Sequence, residues 1–261
     1  MSLPGAFAAE LRKLSTLPAG QIAVAGTVLG SVGITLLNAV STRAGLETSS
    51  AGSTAFTSAF EVGYAAVPLG TVGAVVVGVI AMSSEYAANS SDAGAGRQIT
   101  ASLAAVPRRG HVLTAKALAV ALLVAATAVV TVPVSAGVAA LVIGDAGDAL
   151  PLDVALTRML GAALYWMLTG LIALAVTMLA RSGLVPLVVL VANSSLVSVS
   201  LLLTTVTPLA HWLPDLAGRR LLGGLSTVEG GLDTGPGALV MAVWAFGLLA
   251  VAGVVLSRRD A

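Results

Sequence analysis

The chain has no cysteine, which excludes disulfides, cysteine-ligated metal and a thiol nucleophile. Lysine is almost as scarce: of 13 basic residues only Lys13 and Lys116 are lysine. That bias, with abundant Ala, Val and Gly, fits a GC-rich coding sequence. No Gly-rich loop followed by Lys-Ser or Lys-Thr is present, so ATP phosphates cannot be cradled in that way. No GxSG-like element offers a serine nucleophile. The only two histidines, His111 and His211, fall at opposite ends of the expected layout, which argues against a histidine metal site or a Ser/His dyad. No catalytic residue and no metal ligand set is therefore expected, and nothing points to nucleic acid.

Charge is also sparse, at 10% of residues against 57% hydrophobic, with a mean hydropathy of +1.00. What is present is a series of long apolar runs. A hydrocarbon core about 30 Å thick needs roughly 20 apolar residues in a helix. Six stretches meet that length: Pro18–Val40, Val62–Met82, Ala117–Ile143, Met159–Ala180, Leu184–Val206 and Pro236–Leu256. The expected fold is all-α, a polytopic membrane protein with six transmembrane helices. No loop is long enough for a separate folded domain, so residues 1–261 read as one membrane domain. The first run is longer than a signal-peptide core and Glu10 lies in its flank, so Met1 is expected to begin the mature protein.

Arginine and lysine set the expected orientation. With the N-terminus in the cytoplasm, the inner segments hold nine basic residues (Arg12, Lys13, Arg97, Arg108, Arg109, Lys116, Arg181, Arg258 and Arg259). The outer segments hold four: Arg43, Arg158, Arg219 and Arg220. Eight of the 12 acids fall outside. Six spans then place both termini on the cytoplasmic side.

Before the first span, Leu3, Phe7, Leu11 and Leu14 form one apolar stripe with Glu10, Arg12 and Lys13 off it, the pattern of a helix lying in the headgroup plane over residues 1–17. The first span carries Gly26 and Gly30 in GxxxG spacing, and Thr27, Ser31, Thr35 and Asn38 form a polar stripe on an overlapping face. Pro68, Pro133 and Pro186 predict kinks or interruptions. The inner segment 83–116 is the longest on that side, with Asp92 placed to cap a short helix over about Ala93–Ala105. The outer segment 208–236 has too many apolar residues for a solvated loop and too few for a span. It reads as short interfacial or re-entrant helices broken at Pro214 and Gly223-Gly224.

No Asp, Glu, Lys or Arg falls within a span interior, where each would cost roughly 2.5–3.5 kcal/mol on the insertion scale. Glu61, Lys116 and Arg158 fall at span edges, where snorkelling should satisfy them. The fifth run instead carries Asn193, Ser200 and Thr204 on one face. These side chains either bond neighbouring helices or line a path for solute.

The layout resembles the bacterial ABC transporter permeases of the type-2 exporter class over nearly the whole chain. The amphipathic start Phe7–Leu14, the six spans and the arginine-rich end at Arg258-Arg259 carry the likeness. So do Glu85-Tyr86, Gly96-Arg97, Thr100, Pro107-Arg108 and Lys116 in the inner segment. Residues 87–95 replace the family's usual Gly-Thr-Leu run, which leaves the register of any coupling helix open. The resemblance implies a half-transporter subunit in the bacterial cytoplasmic membrane. It would pair with a second permease subunit, identical or homologous, and dock a separate cytoplasmic ABC ATPase that holds ATP and Mg, with no cofactor in this chain. Glu85, Tyr86, Arg97, Thr100 and Arg108 would then couple to the ATPase, unless they only face headgroups. Thr27, Ser31, Thr35, Asn38, Asn193, Ser200 and Thr204 are the substrate-path candidates.

The expected function is outward movement of a hydrophobic or amphipathic solute (drug, lipid, peptide or antibiotic) by alternating access. Two other classes fit the same residues: a non-transporting membrane scaffold or sensor that docks an ATPase, and an ion-coupled secondary carrier acting alone.

Overall fold

The computed structural model describes residues 2–47, 58–86, 99, 109–144, 150–196, 198–223 and 229–258, and these are almost entirely helical. Arg97, Thr100 and Arg108, and all of the expected 93–105 helix except Ile99, lie outside the described residues.

Helix α1 (Leu3–Thr16) ends because Leu17 precedes Pro18 and takes an extended conformation, φ −69° and ψ 125°. Its apolar stripe is not laid on lipid alone. Ala6 packs with Val112 and Ala115, while Leu14 enters the main core. We call the end of the bundle that carries α1 the inner end. Helix α2 (Pro18–Glu47) starts at Pro18, a favoured first helical position.

Helix α3 (Ala59–Tyr64) is capped by Ser58, whose hydroxyl accepts from the Glu61 amide at 3.1 Å. A turn at residues 65–66 separates it from α4 (Val67–Tyr86), so the break expected at Pro68 falls just before it. Helix α5 (Arg109–Ile143) runs unbroken through Pro133, whereas Pro133 was expected to interrupt this span. Helix α6 (Leu152–Ala180) ends at Arg181 in the left-handed region.

Helices α4 and α6 form the centre of the bundle, and their packing depends on small residues. Beside Gly70 lies the indole of Trp166, with no room for a Cβ, and Gly78 sits equally close to the backbone of Gly170. In lipid, where burial of apolar surface gives no driving force between helices, such close backbone approach supplies the packing energy.

The fifth expected span is not one helix. Residues 184–206 divide into α7 (Leu184–Val191), a π-type turn (Ala192–Leu196) and α8 (Val199–Thr204). The reason is local. Ser198 accepts from the Leu201 amide at 3.2 Å, and the Asn193 side-chain carbonyl accepts from the Ser200 amide at 3.4 Å, so side chains replace the helical ladder. The chain continues through a 3-10 turn (Pro208–Trp212), α9 (Pro214–Ala217) and α10 (Arg219–Leu222), ended by Gly223 at φ +62°. Helix α11 (Thr234–Arg258) completes the fold. Helix boundaries fall at Pro214 and Gly223, two of the expected breaks, while Gly224 lies outside the described residues.

Among the described residues, five helical stretches are long and apolar enough to cross a membrane: Pro18–Glu47, Ala59–Tyr86, Arg109–Ile143, Leu152–Ala180 and Thr234–Arg258. Their outward faces carry exposed Ile22, Leu29, Leu141, Val243 and Phe246. Apolar surface on this scale marks a membrane-embedded or partner-covered face.

Candidate functional site

Two polar assemblies stand out in an otherwise apolar bundle. The first is at the inner end. Lys116 projects from the second turn of α5 and donates from Nζ to Glu85 Oε1 at 2.9 Å and to Glu10 Oε2 at 2.8 Å. Lys13 of α1 bonds the same Glu85 oxygen. Two lysines and two carboxylates thus neutralise one another, and Lys116 has a further contact to the Ala81 carbonyl at 3.5 Å.

This arrangement corrects one expectation. Lys116 does not snorkel: it is 1% exposed, and Glu85 is 0% exposed. Long flexible ammonium groups snorkel when water is near, but here two carboxylates reach Lys116 first. Glu85 therefore has no open surface with which to touch a partner protein, and any coupling through it passes by way of α1 and α5. Tyr86 is likewise engaged, donating to the Met178 carbonyl at 3.2 Å. At the start of α5, Arg109 donates to the Leu256 carbonyl at 2.7 Å and joins it to α11. At the outer end Glu61 and Arg158 bond each other, so these two are also paired rather than free.

The second assembly lies midway along the bundle. The tip formed by α9 and α10 folds back beside the middle of α6. The Tyr165 hydroxyl donates to the Asp215 carbonyl at 3.2 Å, and Gly161 abuts the Leu221 backbone. Helix α6 spans about 43 Å at 1.5 Å per residue, and Tyr165 sits near its middle, so the partly buried Asp215 lies level with the middle of the bundle. There it meets the break in residues 184–206. Asn193 Nδ2 donates to Asp215 Oδ2 at 3.0 Å, and Ser198 Oγ does so at 3.4 Å. A cavity of about 190 Å³ opens beside them, lined by Thr71, Tyr165, Asn193, Ser194, Asp215 and Arg219, with Pro68 and Leu222 as apolar walls.

The substrate-path candidates separate into three groups. Asn193 and Ser200 come together, with Asn193 Nδ2 3.4 Å from Ser200 Oγ. Thr204 does not join them; it is half-buried and turns back to the Leu201 carbonyl at 2.7 Å. Thr27, Ser31 and Thr35 are buried, Thr27 against Gly73 of α4 and Thr35 against Gly63 of α3, and Asn38 is half-buried beyond them.

That α2 face meets a matching row on α5. Thr27 and Thr127 line one small cavity, Ala39 and Ala139 share one core cluster, and Arg43 donates to the Val142 carbonyl at 2.9 Å. The register therefore sets Thr27, Ser31, Thr35 and Ala39 opposite Thr127, Thr131, Ser135 and Ala139. Thr27, Thr127 and Thr131 return their hydroxyls to the carbonyl four residues back, and Thr35 reaches Gly63 at 3.4 Å. This row is a helix–helix seam. It is separate from the Asn193 pocket.

Asp215, Arg219, Thr71 and Tyr165 were not among the residues singled out from sequence. A carboxylate one residue after Pro214, inside an apolar segment too short to span, was the available signal for Asp215. The i, i+4 row Thr127-Thr131-Ser135 was equally legible beside Thr27-Ser31-Thr35.

A second, apolar cavity of about 490 Å³ lies between α5, α6 and α11, lined by residues such as Leu113, Leu118, Met167, Leu171 and Phe246. The described residues contain no cluster of His, Cys, Asp and Glu able to hold a metal ion. The class that fold and site define is a helical protein of membrane type with a polar pocket at mid-depth. No family model matches the chain, and comparison with curated proteins found no match.

Proposed function

We propose that the chain is the membrane subunit of an ATP-driven exporter, working as one half of a paired permease with a separate cytoplasmic ATPase. The observation that carries this reading is the buried network of Glu10, Lys13, Glu85 and Lys116. It ties the two ends of the 87–108 segment, at the close of α4 and the start of α5, to the surface helix α1. A partner that pushes on that segment or on α1 therefore moves the inner ends of three helices together. Solute would enter from the inner side, pass the mid-depth pocket and leave where the 208–223 segment covers the outer half. The sixth crossing would be made by residues 184–206 as a discontinuous segment, its polar break meeting the tip of α9. Both termini would then face the cytoplasm. The apolar cavity between α5, α6 and α11 supports cargo with a hydrophobic part.

Gentle purification of the tagged chain from its native membrane, with identification of the ATPase that accompanies it, tests the partnership. Outward flux from vesicles that requires ATP and that partner is the expected result. Flux by the isolated chain without nucleotide overturns it.

One observation favours a second reading. Asp215 reaches the middle of the bundle, where ion-coupled carriers keep carboxylates. Solute uptake into liposomes containing this chain alone, driven by a proton or sodium gradient, distinguishes a carrier from an exporter subunit.

A further inference from the structure

From the mid-depth pocket we infer a recognition site for a small zwitterion, with its cationic nitrogen on Asp215 and its anionic group on Arg219. The inference rests on the permease reading only for the direction of transport; the binding itself does not need the ATPase.

The two charged residues are four apart and line the same cavity. They stand in successive short helices, and a carboxylate and a guanidinium sharing one cavity can form a charge-assisted pair. Here they do not, and Arg219 makes no ion pair or hydrogen bond with any described residue. The cause is on the other side of the carboxylate. Asn193 and Ser198 both donate to Asp215 Oδ2 and draw it towards the break in residues 184–206. Among the described residues Oδ1 has no hydrogen bond, and the guanidinium has no carboxylate partner on the cavity wall.

Asp215 and Arg219 are each partly buried, and opposite charges held apart on one cavity wall leave both open to a ligand. A ligand with one positive and one negative group satisfies both at once. A monovalent cation or anion satisfies only one.

Size narrows the class. Drug-sized ligands occupy about 300–1,000 Å³, more than the roughly 190 Å³ available. Water takes about 30 Å³ per molecule in the liquid, so the cavity suits a group of several heavy atoms. The fitting chemistry is an ammonium or quaternary nitrogen two or three bonds from a phosphate or carboxylate. A zwitterionic phospholipid headgroup and a free amino-acid-like or betaine-like solute share it. Tyr165 and Thr71 add hydroxyls to the same wall.

The test uses the purified full chain in nanodiscs of anionic phosphatidylglycerol. Phosphoethanolamine and glycine betaine are the free probes, with ethanolamine and inorganic phosphate as controls that carry charge of one sign only. Binding of a zwitterion at least tenfold tighter than either control is expected, with a tenfold or greater loss in both Arg219→Gln and Asp215→Asn. Equal binding of inorganic phosphate, or unchanged binding in both variants, overturns the site.

A second arm replaces part of the lipid by phosphatidylethanolamine and counts lipids retained through native mass spectrometry. Retention lost in Arg219→Gln assigns the headgroup as the source. Binding of the free probes only assigns a soluble zwitterion, and neither overturns the proposal. If the variants fail to fold, the wild-type comparison of zwitterion against probes of one charge sign still decides. ATP-driven export without zwitterion binding removes this site alone, whereas zwitterion binding with no ATPase partner removes the exporter reading alone.

Discussion

Lys116 of α5 and Glu85 of α4 are bonded at 2.9 Å with side chains 2% and 0% exposed, and Lys13 of α1 shares the same carboxylate oxygen. Breaking a buried ion pair from one side leaves an uncompensated charge, which costs about 3–5 kcal/mol. Lys116→Met should therefore lower the unfolding midpoint in detergent sharply. Lys116→Met combined with Glu85→Leu should recover part of the loss, because the excess negative charge at the fully buried Glu85 is gone and only the less buried Glu10 and Lys13, of opposite sign, are left. A double variant no better than Lys116→Met would show that the pair is not coupled.

Coupling can be separated from folding in the same region. Arg97→Ala should reduce ATP-dependent flux while the protein inserts and unfolds as wild type does. Glu85→Ala should reduce both, since it strips the buried Lys116 and the partly buried Lys13 of a partner. Thermal unfolding run beside vesicle flux checks the contrast, and equal behaviour of the two variants contradicts it.

The Asn193 side chain holds Asp215 at 3.0 Å and bonds across the break to the Ser200 amide. Asn193→Leu removes both bonds and favours a continuous helix. Export should fall at least tenfold, with the relative rates of charged and uncharged solutes changed and expression near normal. Loss of folded protein with unaltered solute preference would assign Asn193 a structural role only.

Between α4 and α6, the Trp166 ring occupies the space a Cβ would need at Gly70. Gly70→Ala overpacks that contact and should cost about 1–3 kcal/mol. Adding Trp166→Phe should relieve it, as judged by the unfolding midpoint of the two variants. No relief would place the strain elsewhere.

The α2–α5 register is open to a direct chemical test, because the chain contains no cysteine. Ala39→Cys with Ala139→Cys should cross-link under mild oxidation, and Ser31→Cys with Thr131→Cys should do the same. Ala39→Cys with Thr131→Cys, two turns out of register, should not.

Hydrophobic run length made most of the architecture legible. The five long helices cover five of the six expected spans, since a run of some 20 apolar residues has few other options in water or lipid. Residues 184–206 satisfied the same count but not the same physics. Hydropathy sums side chains one at a time, whereas the break at Asn193 arises from side-chain oxygens competing for particular amides. Lys116 was read as a headgroup-level lysine because Glu10, Glu85 and Lys116 are distant in sequence, and only the docking of α1 brings them together. Asp215 belongs to the outer segment that the sequence marks as short interfacial or re-entrant helices, a reading that sets no depth for this residue. Its depth is set by the long-range contact of the α9 tip with Tyr165, which no local pattern encodes.

Concentrating both lysines of the chain in one salt-bridged knot has a consequence for amine chemistry. Nζ of Lys116 is shielded by two carboxylates, and Lys13 is only 22% exposed, so acylating reagents find little lysine to modify on the resting protein. A rise in Lys116 acylation would then report α1 lifting away from the bundle. The protein carries, without added label, its own reporter of motion at that end.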